Sequence, residues 1–155
     1  GKYEEDDRIY KDNTTTVKIR KDSKEVQKMK KKNKKALMLV ENLLKPGVDL
    51  QDISREIQSY IEKHGYGVVR DLVGHGVGHA VHEEPQVPNF VIPNYHLIVQ
   101  EGMVLAFEPM VTMGSPRVKT ASDLWTVQTR DSSLSAHFEH SLAVTKDGNE
   151  ILTRR

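Results

Sequence analysis

Apolar residues recur at helical spacing in two stretches before residue 65, and beyond it they gather only in short runs of strand type. That change of period restricts the chain to a mixed α+β arrangement. In the first stretch Val26, Met29, Ala36, Leu37, Val40, Leu43 and Leu44 fall on one helix face, with Asn33 filling the gap in the stripe. Asp22 or Ser23 stands where a cap is needed, and Lys45-Pro46-Gly47 ends the run. Asp49 then caps a second helix with an apolar face of Leu50, Ile53, Ile57, Tyr60 and Ile61. Gly65, after His64, supplies the left-handed residue that closes it. Upstream, Thr14 to Arg20 is rich in β-branched residues and predicts a strand, while residues 1–13 are densely charged and without period.

The remainder predicts β structure. Gly67 to Val73 is a strand candidate, and Met103 to Phe107 is the short apolar run of a buried strand. Trp125 to Thr129 and Ala136 to Thr145 are strand-like, and Lys146-Asp147-Gly148-Asn149 turns the chain into a last strand over Glu150–Thr153. No repeat or low-complexity linker divides the 155 residues, so the expectation is one domain, 1–155, with residues 1–13 poorly ordered. Its sheet is antiparallel-rich, with two helices packed on one face.

Composition narrows the chemistry. The formal net charge of +1 creates no overall field that would draw the chain to nucleic acid. Six lysines between Lys28 and Lys35 read as the solvated face of the first helix, with contact to RNA such as a ribosome surface as the rival reading. Without cysteine, stability cannot rest on disulfides, and any metal must be held by His, Asp and Glu. No apolar stretch approaches the ~20 residues of a membrane span, and the N-terminus does not read as a signal peptide, so a cytoplasmic location is expected. Gly1 is expected to be a cut point, with the natural protein starting upstream.

Two features carry reactive side chains. His75, His79 and His82 lie in Gly74-His-Gly-Val-Gly-His-Ala-Val-His, among glycines that allow tight turns and close ligand approach. On pattern alone they are equally well solvent-facing or structural. Glu108 follows Met-Val-Leu-Ala-Phe, and Glu139 sits in Ala-His-Phe-Glu-His-Ser-Leu-Ala-Val. A carboxylate in a buried strand is costly unless a cation or donor compensates it, and both would be unremarkable on a solvated sheet face. Asp12 is a further carboxylate, otherwise an ordinary strand-entry residue, and Trp125 is either core or pocket wall.

Several motifs taken together resemble the type I methionine aminopeptidases. They are Gly74-His-Gly-Val-Gly with His82-Glu-Glu-Pro-Gln-Val, Leu105-Ala-Phe-Glu-Pro-Met-Val111, Trp125-Thr-Val-Gln-Thr129, and Ser133 to Thr145. The likeness runs from about Ser23 to the C-terminus and more faintly back to Asp12. It implies the C-terminal half of a pita-bread fold built around a dinuclear metal site. By that resemblance Asp12, His75, Glu108 and Glu139 are metal ligands, with Glu139 bridging. His82 contacts the substrate amide, Glu108 moves the proton, and Trp125 flanks the methionine pocket, with His79 beside it. The cofactors implied are divalent ions (Co, Mn, Fe or Zn), two in the family site. One or none is expected here, because Gly1 stands where the family carries another Asp, eleven residues before Asp12. Leu124 also departs, standing where the family usually has Gly.

The implied function is metal-dependent removal of N-terminal methionine from peptides or nascent chains, weak or absent in this chain by itself. One rival is a non-catalytic or self-associating half-domain, completed by a second copy or by the family's N-terminal half. The other is a pita-bread exopeptidase acting on Xaa-Pro ends, against which the His-Glu-Glu-Pro-Gln-Val run argues.

Overall fold

A computed structural model describes residues 2–3, 9–10 and 23–154. The strand expected over 14–20, and Asp12, lie outside the described residues. Strands β1 (Lys2–Tyr3) and β2 (Ile9–Tyr10) form a short antiparallel pair.

Both helices start where their caps predict. The Ser23 hydroxyl accepts the Val26 N–H at 3.2 Å and opens α1 (Lys24–Leu43). Asp49 opens α2 (Leu50–Lys63), its Oδ1 accepting the Gln51 N–H at 3.0 Å. The His96 imidazole, 2.6 Å from the other Asp49 oxygen, is the main reason that carboxyl is held below the usual range. At the end of α1, Asn149 donates to the Glu41 and Leu44 carbonyls at 2.8 Å, and α2 closes through Gly65 at φ +81°. Met29, Asn33, Ala36, Leu37 and Val40 are the buried face of α1, and Leu50, Ile53, Ile57 and Ile61 that of α2. Apart from the polar Asn33, these residues join Val68, Leu105, Phe107, Val111 and Leu142 in one hydrophobic core. Among the described residues, no helix is long and apolar enough to cross a membrane.

Ten further strands follow, each pairing antiparallel. They are β3 (Gly67–Val68), β4 (Gly74–Gly76), β5 (Glu83–Val87), β6 (Val104–Phe107), β7 (Met110–Thr112), β8 (Val118–Thr120), β9 (Val127–Thr129), β10 (Ser135–His137), β11 (His140–Thr145) and β12 (Gly148–Ile151). One sheet runs β12-β11-β6-β4-β5, a second runs β10-β7-β3, and β8 and β9 form a separate hairpin. Three stretches of chain cross between the two larger sheets, from β3 to β4, from β6 to β7, and from β10 to β11. The fold is therefore α+β and antiparallel, with a seam where the sheets meet.

The seam explains where the strand expectations fail. Gly67–Val73 is not one strand: after Val69 donates to Met110 O at 3.0 Å, Arg70, Asp71 and Leu72 turn out to solvent and the chain re-enters at Gly74. Ala136–Thr145 is likewise two strands, broken at Phe138-Glu139 as it changes sheets. Between β6 and β7 the break falls at Glu108-Pro109, where proline offers no N–H to a ladder. Trp125–Thr129 shortens to Val127–Thr129, because the Asp123 side chain captures the Trp125 and Thr126 N–H groups in a turn. The last strand runs Gly148–Ile151, starting earlier than the expected Glu150–Thr153.

Candidate metal centre

The three seam crossings bring together residues far apart in sequence. His75 lies in β4, which is squeezed between β5 and β6 at a register irregularity. A Cβ at Gly74 would stand 2.1 Å from Ala106 O, and one at Gly76 would stand 2.2 Å from Glu84 O. Only glycine allows that approach. The Nδ1 of His75 is 2.9 Å from Gly76 O, so the N–H sits on Nδ1 and Nε2 keeps its lone pair for a ligand. Glu108 leaves the end of β6, and Asn89 donates to its carbonyl at 3.4 Å. Glu139 occupies the crossing from β10 to β11 and is 3% exposed.

Nε2 of His75 lies 3.4 Å from Oε1 of Glu108 and 3.8 Å from Oε1 of Glu139. One ligand atom from each of the three residues falls within 4.8 Å of the others. Charge-assisted hydrogen bonds run shorter, ~2.7–2.9 Å. Two ligands held at ~2.1 Å by one ion lie ~3.0–3.4 Å apart, close to what is seen here. One buried carboxylate, Glu139, and one half-buried, Glu108, beside an imidazole also need a cation to offset their desolvation. Two carboxylates and an imidazole suit Mn, Fe, Co or Zn. The donor set fits a divalent ion.

Around this group opens a cavity of about 470 Å³. Val69, Leu72, Val73 and Val127 supply apolar wall, while His75, His82, Glu108 and His137 supply its polar part. The ring of His82 lies 3.9 Å from that of His75, tilted by 42°. His79 lines a different cavity, of about 500 Å³, together with Glu83 and Glu84. Trp125 stands at the tip of the β8–β9 hairpin, 88% exposed and not among the cavity-lining residues. The expected pocket pair of Trp125 and His79 is thus not what walls this cavity in the described structure.

Two residues matter here that sequence reading did not single out for the site. His137 places Nε2 3.2 Å from Oε2 of Glu108. It lies at the end of β10, just before the chain crosses to the other sheet, a placement that no local sequence signal gives. Asn33, read only as a gap in an apolar stripe, donates to Pro109 O and Ala136 O, both at 3.0 Å. Those carbonyls belong to the residues next to Glu108 and His137, so one buried amide ties α1 to both sides of the seam.

Comparison with known proteins agrees with this geometry. The sequence profile of metallopeptidase family M24 matches residues 3–146. The chain is 59% identical over 104 residues to a methionine aminopeptidase of Clostridium perfringens, covering 67% of this chain and 42% of that protein. To methionine aminopeptidase 1 of Bacillus subtilis it is 53% identical over 110 residues, covering 71% and 44%. It thus spans less than half the length of these curated relatives. The crystal structure of a Thermotoga maritima methionine aminopeptidase superposes with a TM-score of 0.90 at 39% identity, over 95% of this chain and 59% of that one. A Pyrococcus horikoshii prolidase, 22% identical with a TM-score of 0.69 over 96% of this chain and 36% of its own, shares the fold alone. From a seam that gathers His75, Glu108 and Glu139 and from these matches, the chain belongs to metallopeptidase family M24.

Proposed function

We propose that this chain is the metal-holding part of a methionine aminopeptidase, acting on the N-terminal methionine of peptides or nascent chains. The observation that carries the proposal is the convergence of His75, Glu108 and Glu139 from three separate seam crossings. Asp12, where the family resemblance adds a ligand, joins this set as a proposal. Co, Mn, Fe and Zn all suit the donors.

A divalent ion bound there polarises the scissile carbonyl and acidifies water. The chain's own residues supply the rest. Glu108, in the cavity and beside His75, takes the proton of the attacking water and returns it to the departing amine. His82, its ring tilted against that of His75, donates a hydrogen bond where negative charge develops on the substrate, worth ~3 kcal/mol for one well-placed donor. Apolar residues such as Val69, Leu72 and Val127 line the space beside them and suit a thioether side chain.

The reading extends to partners and place. The lysine face of α1 suits a ribosome contact during nascent-chain processing. Exposed Leu124, Trp125 and Leu134 suit burial against a second copy or the family's other half, with 1–155 acting as one domain of a cytoplasmic protein. Methionine release from Met-Ala peptides, with added Co or Mn, tests the function. Release that depends on metal and vanishes in Glu139→Ala is expected. Cleavage of Xaa-Pro peptides in its place would contradict the proposal, as would metal-independent release.

A further inference from the structure

The proposed function leaves His137 without a role, although it meets Glu108 closely. β4 pairs with β6 so that His75 faces Ala106, two residues before Glu108. β10 pairs with β7 so that His137 faces Met110, two residues after Glu108. Glu108 therefore stands between two histidine-bearing strands, one from each sheet. Its oxygens are addressed separately, Oε1 at 3.4 Å from Nε2 of His75 and Oε2 at 3.2 Å from Nε2 of His137.

The two contacts differ in kind. His75 gives the hydrogen on Nδ1 to Gly76 O, so a lone pair on its Nε2 faces Oε1 and calls for a cation between them. His137 lies outside the group whose ligand atoms fall within 4.8 Å of one another. Its 3.2 Å contact falls at the outer limit of an N–H···O hydrogen bond, ~2.7–3.2 Å, and a hydrogen on Nε2 removes the repulsion that a bare lone pair would meet there. Contacts of this kind are often long in an unfilled site and tighten when it is filled. We propose that His137 is a positioning residue for Glu108: its Nε2–H holds Oε2 and leaves Oε1 to face the ion. This rests on the metal-centre reading above. A carboxylate that turns freely about its last bond must be ordered by the ion, whereas a donor on one oxygen orders it beforehand. The spacing this requires is fixed independently, because the Asn33 amide donates to Pro109 O and Ala136 O, next to the two residues. His137 also lines the cavity, so it steadies the carboxylate that the proposed function uses to move a proton. The rival account makes His137 a piece of cavity wall, which any side chain of similar bulk would supply.

The test is calorimetric titration of the metal-free 155-residue chain with cobalt(II) chloride, read at the tightest equivalent for wild type, His137→Leu and His137→Gln. Leucine keeps the bulk and loses the donor, whereas glutamine sets an N–H near the position of Nε2. His137→Leu should bind ~10–100-fold more weakly, as when other groups that orient metal ligands are removed. His137→Gln should recover most of that loss, which a role in packing alone would not produce. A cooperative urea transition of each metal-free variant shows that it is folded, and His137→Ala replaces His137→Leu if the latter lacks one. Wild-type affinity in the variant without a donor overturns the proposal, since the wall would then suffice. Affinity as low in His137→Gln as in that variant also overturns it, since the ring itself would be needed. A wild type that binds no cobalt removes the metal centre and this proposal together, a failure visible before any substitution is made.

Discussion

The seam between the two sheets and the β8–β9 hairpin both border the same cavity, but they are held in opposite ways. At the seam, His75, Glu108 and Glu139 are placed by ladder register, by glycines that admit no Cβ, and by the Asn33 amide reaching 76 and 103 residues along the chain. At the hairpin, order comes from local side chains. Asp123 accepts from Trp125 and Thr126, Asp131 accepts from Ser115 and Ser133, and Leu124 and Trp125 stand 82% and 88% exposed. Long-range register makes the ligand geometry rigid without an ion, as binding requires if little ordering entropy is to be lost. The candidate metal centre thus sits where the longest-range contacts of the molecule meet.

The sharpest way to break this contrast is at Glu139. Wild-type protein held at 100 times its Kd for cobalt should gain ~2.7 kcal/mol of stability over the metal-free form. Glu139→Ala should gain none, as read by thermal melts with and without metal, whereas Trp125→Ala should keep the full gain. Asn33→Ala comes next. It leaves two buried carbonyls without their amide donor, at ~1–3 kcal/mol each, so urea unfolding should show a loss of ~2–6 kcal/mol. Because those carbonyls flank Glu108 and His137, the cobalt Kd should also rise ~10–100-fold, as for other groups that orient metal ligands. Loss of stability with unchanged affinity would show that the amide does not position the site.

Acid separates the regions more gently. Hydrogen bonds, chiefly from Thr126 to Asp123 and from Ser133 to Asp131, hold both carboxyls below the usual range. The turns are therefore fully stabilised above the unfolded carboxylate value, about 3.9. That support is lost as pH falls through the lowered folded values. Amide exchange at Thr126 and Ser133 should accelerate there before exchange at Leu105 and Leu142 does. Simultaneous acceleration would mean that the hairpin is not an independent unit. The smallest effect is expected at Leu124, whose φ of +66° is left-handed. Such a residue costs ~1–2 kcal/mol, and glycine gives back ~0.5–1 through chain entropy. Leu124→Gly should stabilise by less than about 1 kcal/mol and leave cobalt affinity unchanged.

The two helices were legible because their signals are local. Period, caps and stop residues all lie within a few positions of one another, and Ser23, Asp49 and Gly65 stand where they were read. The histidine and glutamate motifs pointed to His75, Glu108 and Glu139 through resemblance, while pattern alone left their exposure open. The seam was not legible. Whether residues 136–145 make one strand or two depends on which sheet each half joins, a tertiary choice that alternation of side chains does not encode. Asn33 looked like a defect in an apolar stripe for the same reason, since its two acceptors come from distant strands. Trp125 shows the converse, a large aromatic read as core or pocket that a local Asp123 turn places in solvent.

The central claim is that one cation can touch His75, Glu108 and Glu139 together. Crystals grown with cobalt, measured at the cobalt absorption edge, test it directly. An anomalous peak is predicted at ~2.0–2.2 Å from Nε2 of His75 and from a carboxylate oxygen of each glutamate. No peak at the seam, or one that excludes any of the three, would contradict the account.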